Sequence, residues 1–385
     1  MGRRARPERL SLWDDGVVTE PTRLAILGAT GSIGRQALDV VRAHPDRLRV
    51  VALGANRNSD ALSEIAMEFP TARTALGANA LAALATDPEA DLVLVATPGV
   101  AALRATIAAL EDGKSVALAN KEVLIAAGHL IRAICGGAGE RLRPVDSEHN
   151  GLWQCLVGED LANVRRVALT ASGGAFRDVP LEALPGVTPQ HALRHPTWKM
   201  GPKVTIDSAT LVNKGYEVIE TRWLYGLGYD RIDVVYHPES VVHALVEYVD
   251  GSVKAQLAEP DMRLPIQYAL LWGRAPSPAP RFDWSAGRAL RFGEINLERY
   301  PCFAVVLETA RSGDLGAMIG LSAADEVAVE RFLAGDIPFT DIAPLLRRGA
   351  ELGAKAKQSR EPELDEVIAI DASVRASLAA TEAVA

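Results

Sequence analysis

The first third of the chain alternates short apolar runs with amphipathic stretches. Residues 24–27 form an apolar run that precedes a glycine-rich turn, and an amphipathic stretch follows as far as residue 43. The same pattern predicts further strands at 49–53, 91–96, 115–119 and 141–145, and helices at 60–68, 100–111 and from residue 121 onwards. Strands that alternate with helices indicate βαβ units, and therefore a parallel sheet with helices on both faces.

The pattern changes after residue 146. Strands are predicted at 164–170, 233–236 and 251–257, a proline-rich linker at 275–280, and helices at 303–311, 323–333 and 372–380. The predicted fold class is α/β. The predicted organisation is a polar tail (1–22), a Rossmann-type domain (23–146), an α+β domain (147–272), a linker (273–300) and a small C-terminal helical domain (301–385).

Composition and charge exclude several classes of protein. Of the 385 residues, 48% are hydrophobic and 23% charged, which excludes intrinsic disorder. The net charge of −8 and the lack of a basic stripe argue against nucleic-acid or membrane partners. Cys135, Cys155 and Cys302 are far apart, so neither a disulfide framework nor a zinc site is indicated. The basic N-terminus lacks an apolar segment, so we expect a cytoplasmic protein.

A glycine turn follows the first predicted strand. Gly28, Gly31 and Gly34 occur in a G-x-x-G-x-x-G pattern that opens a helix. Such a turn presents backbone N–H groups and a helix N-terminus to a pyrophosphate. Glycine turns also serve ordinary strand–helix junctions, but the repeated βαβ pattern favours dinucleotide binding.

The end of the second strand bears on which dinucleotide is bound. The sequence there is Gly54-Ala55-Asn56-Arg57-Asn58 and contains no carboxylate for a ribose 2′-hydroxyl. The Arg57 guanidinium would suit a 2′-phosphate, which favours NADP. The alternative is that Arg57 is a solvated loop residue.

A group of carboxylates follows the last strand of the first domain. Asp146 and Glu148 are two positions apart, and in an extended chain their side chains would point to the same side. With Glu217 they would supply three oxygen ligands to Mg²⁺ or Mn²⁺. The alternative, that Asp146 and Ser147 merely cap the next helix, is equally compatible with the spacing.

Small polar residues recur in three segments that suit a phosphate group. These are Ser172-Gly173-Gly174, Asp207-Ser208-Ala209-Thr210 and Asn213-Lys214. Each alone is typical of a turn or a cap, but together they favour a phosphorylated substrate. The loop from His195 to Pro202 contains Trp198, which predicts a lid over a ligand. His237 and His243 lack a supporting pattern and are interpreted as structural.

Seven longer motifs occur along the chain, and some of them contain these segments. They are Gly28-Ala29-Thr30-Gly31-Ser32-Ile33-Gly34, Ala119-Asn120-Lys121-Glu122, Val145-Asp146-Ser147-Glu148-His149-Asn150, Arg194-His195-Pro196-Thr197-Trp198-Lys199-Met200-Gly201, Asp207-Ser208-Ala209-Thr210-Leu211-Val212-Asn213-Lys214-Gly215-Tyr216-Glu217, Glu259-Pro260-Asp261-Met262-Arg263 and Phe339-Thr340-Asp341-Ile342-Ala343. In this order they resemble the 1-deoxy-D-xylulose 5-phosphate reductoisomerase family of the non-mevalonate isoprenoid pathway. The resemblance extends from Leu24 to about Asp371.

The resemblance implies the residues of each site. NADPH would contact Thr30, Gly31, Ser32, Ile33, Arg57, Asn58, Asn120, Glu122 and Gly201. A divalent metal, Mg²⁺ or Mn²⁺, would be held by Asp146, Glu148 and Glu217, which with Lys121 form the catalytic set. Substrate would contact Lys121, Ser147, Glu148, Ser172, His195, Trp198, Met200, Ser208, Asn213, Lys214 and Glu217, with Trp198 and Met200 on a closing flap.

The resemblance also implies an activity and a quaternary structure. Family members rearrange 1-deoxy-D-xylulose 5-phosphate by retro-aldol cleavage and re-addition, and NADPH then reduces the aldehyde to 2-C-methyl-D-erythritol 4-phosphate. They form V-shaped homodimers, in which we expect the strand at 251–257 to pair between subunits.

Other functions remain compatible with parts of the sequence. The chain would suit an NADP-dependent reductase of a different phosphorylated ketose or aldehyde. In a phosphate-dependent aldehyde dehydrogenase, Cys155 would be the nucleophile, although its helical context favours a buried structural thiol. A non-enzymatic NADP sensor would leave the three carboxylates without a role.

Overall fold

The structure, a computed structural model, describes residues 20–198, 200–356 and 359–380. Most of the predicted polar tail and Lys199 of the predicted flap lie outside these ranges, as do residues 357–358 and 381–385. Within them, no helix is both long and apolar enough to cross a membrane.

Strands and helices alternate in the first part of the described chain. The strands are β1 (Thr22–Leu27), β2 (Leu48–Ala55), β3 (Arg73–Leu76), β4 (Leu92–Val95), β5 (Ser115–Leu118) and β6 (Leu142–Pro144). The helices between them are α1 (Ser32–Ala43), α2 (Ser59–Glu68), α3 (Ala78–Ala85), α4 (Leu103–Glu111) and α5 (Glu122–Cys135). The strands form one parallel sheet in the order β3-β2-β1-β4-β5-β6, the order of doubly wound dinucleotide-binding folds.

A second sheet follows in the middle of the chain. Its strands are β7 (Val164–Ala171), β8 (Ile232–Tyr236), β9 (Val242–Tyr248) and β10 (Val253–Leu257), in the order β10-β9-β7-β8. The helices of this region are α6 (Ser147–Leu156), α7 (Pro189–Ala192), α8 (Pro202–Thr210), α9 (Val212–Tyr225) and α10 (Arg263–Leu271). Strand β9 runs antiparallel to both β7 and β10.

The C-terminal part of the described chain is helical. Its helices are α11 (Pro301–Ser312), α12 (Leu315–Ala334), α13 (Ile342–Lys355) and α14 (Leu364–Ala379). Helices α12 and α13 pack closely because Gly353 of α13 faces the backbone of α12, where a Cβ atom would lie 2.0 Å from the Gly316 carbonyl oxygen. Helix α12 also contacts α5 and α8, so the helical part reaches both sheet-containing parts of the fold.

The α/β fold class and the strands predicted before residue 146 are confirmed. The prediction of helix 323–333 was too short, because α12 begins at Leu315. Strands β3 and β9 were not predicted. Strand β9 is mostly buried on both faces, so it lacks the clear alternation of a half-exposed strand.

Candidate active site

A cavity lies where the carboxyl ends of β5 and β7 meet helices α6, α8 and α9. The first turn of α1 contributes Ser32 and Ile33 to its lining, and Lys121 reaches it from the end of β5. This is the position at which doubly wound sheets bind ligands, next to the point where the strand order reverses between β1 and β4.

The glycine turn has the backbone geometry that a close approach to a ligand requires. Gly28 has a φ of +96°, and a Cβ atom there would lie 2.6 Å from the Ala96 carbonyl oxygen. Thr30 and Gly31 complete the turn, and Gly31 occupies the N-cap of α1 without a side-chain capping bond. The N–H groups of the first turn of α1 are therefore directed toward the cavity edge.

The other predicted cofactor residues lie around the same sheet edge. Arg57 and Asn58 are exposed after β2, where Asn58 Oδ1 accepts a hydrogen bond from the Ala61 N–H and caps α2. Asn120 is buried and donates to the carbonyl oxygens of Thr97 and Gly99, at 2.6 and 2.8 Å.

Two further predicted cofactor residues flank helix α8. Gly201 is its N-cap and lines the cavity. Glu122, the first residue of α5, forms an ion pair with Lys203 of α8, with 2.9 Å between Oε1 and Nζ. The first turns of α5 and α8 are thereby joined.

The three predicted metal ligands come together. Oxygen atoms of Asp146, Glu148 and Glu217 lie within 4.8 Å of one another. The ammonium groups of Lys214 and Lys121 contact these carboxylates. Lys214 Nζ lies 2.7 Å from Glu148 and 2.5 Å from Glu217, and Lys121 Nζ contacts Asp146 and lies 3.5 Å from Glu217.

The local backbone differs from the expectation. Asp146 and Glu148 do not lie in extended chain, because Asp146 is the N-cap residue of α6 and Glu148 is in its first turn. The Asp146 side chain makes no capping bond and contacts Lys121 instead. Capping therefore does not account for this carboxylate.

The charges of the cluster fit a divalent cation. Burial opposes ionisation of Asp146 and Glu148, but Lys121 and Lys214 outweigh it and lower the pKa of both carboxyls. Burial and repulsion from Glu148 raise the pKa of Glu217 to about 7. Ionisation of Glu217 would give the three carboxylates one negative charge more than the two lysines neutralise, and a bound cation would favour that ionisation. Oxygen donors without a thiolate suit Mg²⁺ or Mn²⁺.

His149 and Glu220 support this cluster, although neither is a candidate site residue by sequence pattern. His149 is fully buried, with Nε2 3.0 Å from the Glu217 carbonyl oxygen and Nδ1 3.5 Å from Asp146 Oδ2. Burial lowers its pKa, but Glu220 and Asp146 raise it more, and the result is about 9. The charged imidazolium therefore helps to orient Asp146.

The predicted phosphate residues converge on His195. Its Nε2 lies 3.0 Å from Ser208 Oγ and 3.2 Å from Ser172 Oγ. Nδ1 accepts the N–H groups of Thr197 and Trp198, so the proton of a neutral imidazole is on Nε2. Ser147, Ser172, Ser208, Asn213 and Lys214 line the same cavity.

The predicted lid borders the cavity through Trp198 and Met200. The Trp198 ring lies 5.9 Å from the imidazole of His243, which is itself buried and lines the cavity. His243, which was interpreted as structural from the sequence, therefore lies at the cavity. His243 reaches the site on β9, a strand that the sequence analysis missed, whereas His237 is bonded to backbone away from the cavity lining.

Cys155 does not have the surroundings of a nucleophile. It is buried on α6 and is absent from the cavity lining. Burial raises the pKa of its thiol to about 11, so the reactive thiolate is disfavoured. The aldehyde dehydrogenase alternative loses its catalytic residue.

Comparison with known proteins gives one consistent result. Family models described as 1-deoxy-D-xylulose 5-phosphate reductoisomerase match residues 24–76 and 70–128, and models of its C-terminal domains match 142–225 and 257–377. A relative named 1-deoxy-D-xylulose 5-phosphate reductoisomerase from Thermomicrobium roseum is 49% identical over 342 residues, which cover 84% of this chain and 89% of that protein.

Comparison with solved structures gives the same family. The crystal structure of a DOX-P reductoisomerase with NADPH, fosmidomycin and magnesium superimposes with a TM-score of 0.87 at 36% identity, over 93% of this chain and 98% of that one. The Zymomonas mobilis enzyme in complex with NADPH gives 0.83 at 38% identity, over 94% and 99%. These similarities extend over most of this chain and of the proteins compared with it. The chain therefore belongs to the 1-deoxy-D-xylulose 5-phosphate reductoisomerase family.

Proposed function

We propose that this chain converts 1-deoxy-D-xylulose 5-phosphate to 2-C-methyl-D-erythritol 4-phosphate with NADPH and a divalent metal. The observation that carries the proposal is the meeting of three groups at one cavity. The carboxylate cluster, the hydroxyl and ammonium groups suited to phosphate, and the first turn of α1 all border it. The names of the relatives, and the NADPH and magnesium in the complexes of similar structures, support the same reaction.

Asp146, Glu148 and Glu217 would hold Mg²⁺ or Mn²⁺. When bound, the cation supplies Lewis-acid polarisation of adjacent oxygens on the ketose. Lys121 would hold and move a proton beside them. Burial lowers its pKa, but Asp146, Glu220 and Glu217 raise it more, so Nζ keeps its proton at neutral pH. The ammonium is thus available to donate as oxygens change charge during the rearrangement.

Ser172, Ser208, Asn213 and Lys214 would bind the phosphate group, with His195 as a neutral donor between the two serines. Ser147, Trp198 and Met200 would complete the substrate contacts. Binding at the phosphate end supplies energy for closing the lid over the reacting carbons and excluding water.

The cofactor contacts would come from the turn and the sheet edge. Thr30, Gly31, Ser32 and Ile33 would meet the pyrophosphate, and Arg57 and Asn58 the 2′-phosphate, which exposed Arg57 is free to approach. The remaining parts of NADPH would be contacted by Asn120, Glu122 and Gly201. When bound, NADPH supplies the hydride that reduces the rearranged aldehyde.

We also propose the domain organisation and a homodimer. The division at residues 146, 272 and 300 is supported by the change from the first sheet to the second and then to helices α11–α14. The dimer is supported by β10, which pairs with β9 on one side and is an edge strand of the described sheet. Val253 of that strand is 54% exposed, an exposure that an interface would cover.

A cytoplasmic location is our remaining proposal. Cys135, Cys155 and Cys302 are free thiols, which suits a reducing compartment.

The test is NADPH oxidation by the purified protein given 1-deoxy-D-xylulose 5-phosphate and Mg²⁺ or Mn²⁺, with the product identified by mass and NMR. We expect the branched polyol phosphate, and excess chelator should abolish its formation. NADPH oxidation with a different phosphorylated ketose or aldehyde, but not with this substrate, would overturn the proposal.

A further inference from the structure

The ammonium group of Lys203 joins helices α5, α8 and α12. Its Nζ lies 2.9 Å from Glu122 Oε1 on α5, 2.8 Å from Asp207 Oδ2 on α8 and 2.5 Å from Asp325 Oδ2 on α12. A lysine ammonium has three N–H donors, and here each has a carboxylate oxygen within bonding distance. The side chains of Asp207 and Asp325 are 2% and 0% exposed.

Fold stability is a weak explanation for this cluster. Three carboxylates with almost fully buried side chains surround one ammonium group, and their charges repel one another. Burial and mutual repulsion raise the pKa of Asp207 and of Asp325. Replacing such buried ion networks by apolar side chains is often neutral or stabilising, so a geometric role is the better explanation.

The cluster lies directly behind the cavity. Glu122 follows Lys121, Asp207 precedes Ser208, and Lys203 is two residues after Gly201. Lys121, Ser208 and Gly201 line the cavity. Displacement of Lys203 would therefore change the positions of both helix N-termini that border the site.

Helix α12 contacts the cluster and the turn after β4 through two consecutive residues. Asp325 holds Lys203, and the next residue, Glu326, packs its carboxylate against Gly99 in the turn after β4. Arg375 of α14 pairs with Glu326 at 2.8 Å. The C-terminal helices thus contact the nucleotide-binding edge through two consecutive carboxylates, without lining the cavity.

We propose that Lys203, held by Asp325 of the C-terminal helices, is a positioning residue for NADPH binding, acting through Glu122 and the first turn of α8. The proposal rests on the proposed function, because that function makes Glu122 and Gly201 cofactor contacts. It extends that function by giving α12 a part in cofactor affinity.

The test measures NADPH affinity by fluorescence without substrate, together with KM and kcat. Lys203→Met leaves Glu122 buried without its cation, and we expect the dissociation constant for NADPH to rise about tenfold or more. KM for NADPH should rise with it, while KM for the ketose phosphate stays within about threefold, a separation that general loss of structure would not produce. Lys203→Arg keeps the charge and should restore most of the affinity.

Asp325→Ala tests the contribution of the C-terminal helices. Asp365→Ala is the matched control, since Asp365 on α14 also belongs to the C-terminal helices but forms an exposed ion pair, with Arg104 of α4 at 2.7 Å. We expect Asp325→Ala to weaken NADPH binding by severalfold and Asp365→Ala to leave it unchanged, because exposed pairs contribute little. Equal affinities in these two variants would overturn the proposal, as would wild-type affinity in Lys203→Met.

The two proposals fail in different ways. A wild-type protein that binds NADPH but does not convert 1-deoxy-D-xylulose 5-phosphate contradicts the proposed function and leaves the role of Lys203 standing. Normal turnover with NADPH affinity insensitive to Lys203 and Asp325 contradicts only the positioning role. If Lys203→Met does not fold, Asp325→Ala and its control decide the question.

Discussion

The imidazole of His195 and the hydroxyl of Ser208 lie 3.0 Å apart, with the ring nitrogen Nε2 as the donor. The other ring nitrogen accepts two backbone N–H groups of the lid, so the neutral imidazole joins the lid to α8. A charged imidazolium would have to break the bonds at Nδ1, because that nitrogen would become a donor.

This arrangement predicts a pH dependence of stability. Burial and the neighbouring Arg177 lower the pKa of His195 from 6.5 to about 4. As pH falls through this range, the unfolded chain binds a proton at His195 before the folded chain does, so the free energy of unfolding decreases. His195→Asn should flatten the profile, as measured by urea denaturation between pH 6.5 and about 4. If the free energy of unfolding of His195→Asn fell with pH as steeply as that of the wild type, the prediction would be contradicted, because groups other than His195 would then cause the pH dependence.

Glu217→Gln should separate metal binding from fold stability. The raised pKa of Glu217 means that its charged form is disfavoured in the metal-free protein. Above pH 7 we therefore expect Glu217→Gln to unfold, in chelator, at a temperature no lower than that of the wild type. Mg²⁺ should raise the unfolding temperature of the wild type alone.

The same substitution, Glu217→Gln, should strongly reduce catalytic activity even though it does not reduce stability in chelator. With a ligand removed, kcat/KM should fall by about a hundredfold or more, beyond the usual loss for an outer-shell partner of a metal. A variant that is both less stable in chelator and still stabilised by Mg²⁺ would contradict the assignment of Glu217 as a ligand.

Much of this site could be predicted from the sequence because its residues follow strand ends or open helices in local motifs. Asp146, Glu148 and Lys121 are examples, since strand–helix alternation alone directs them to one sheet edge. Periodicity does not show which distant elements pack together. His243 arrives on an unpredicted antiparallel strand, and Lys203 would be expected to be solvated until α12 covers it with Asp325.

Gly28 and Gly31 should respond differently to alanine. At Gly28 the φ of +96° and the contact with the Ala96 carbonyl oxygen make a side chain unfavourable, and Gly28→Ala should lower the free energy of unfolding by about 1–3 kcal/mol. Gly31 has a φ of −78°, and its nearest contact to a built Cβ is 3.3 Å. Gly31→Ala should therefore change stability by less than about 0.5 kcal/mol.

Both substitutions should weaken NADPH binding, but Gly31→Ala should do so in a fully folded protein because its methyl group blocks the approach of the pyrophosphate. Urea denaturation and NADPH fluorescence measure the two effects separately. If Gly31→Ala bound NADPH normally, this turn would not be the pyrophosphate site.

Val253→Lys should dissociate the proposed homodimer. Val253 begins the edge strand β10 and is 54% exposed, and pairing of this edge about a twofold axis would bring the two copies of β10 together. A lysine on each copy would add like-charge repulsion to the interface. Sedimentation equilibrium should change from a species of about twice 41.1 kDa to one near 41.1 kDa at micromolar protein. Met67→Lys, on α2 and 77% exposed, is the control and should leave the mass unchanged. A wild-type monomer, or a dimer that survives Val253→Lys, would require a different interface.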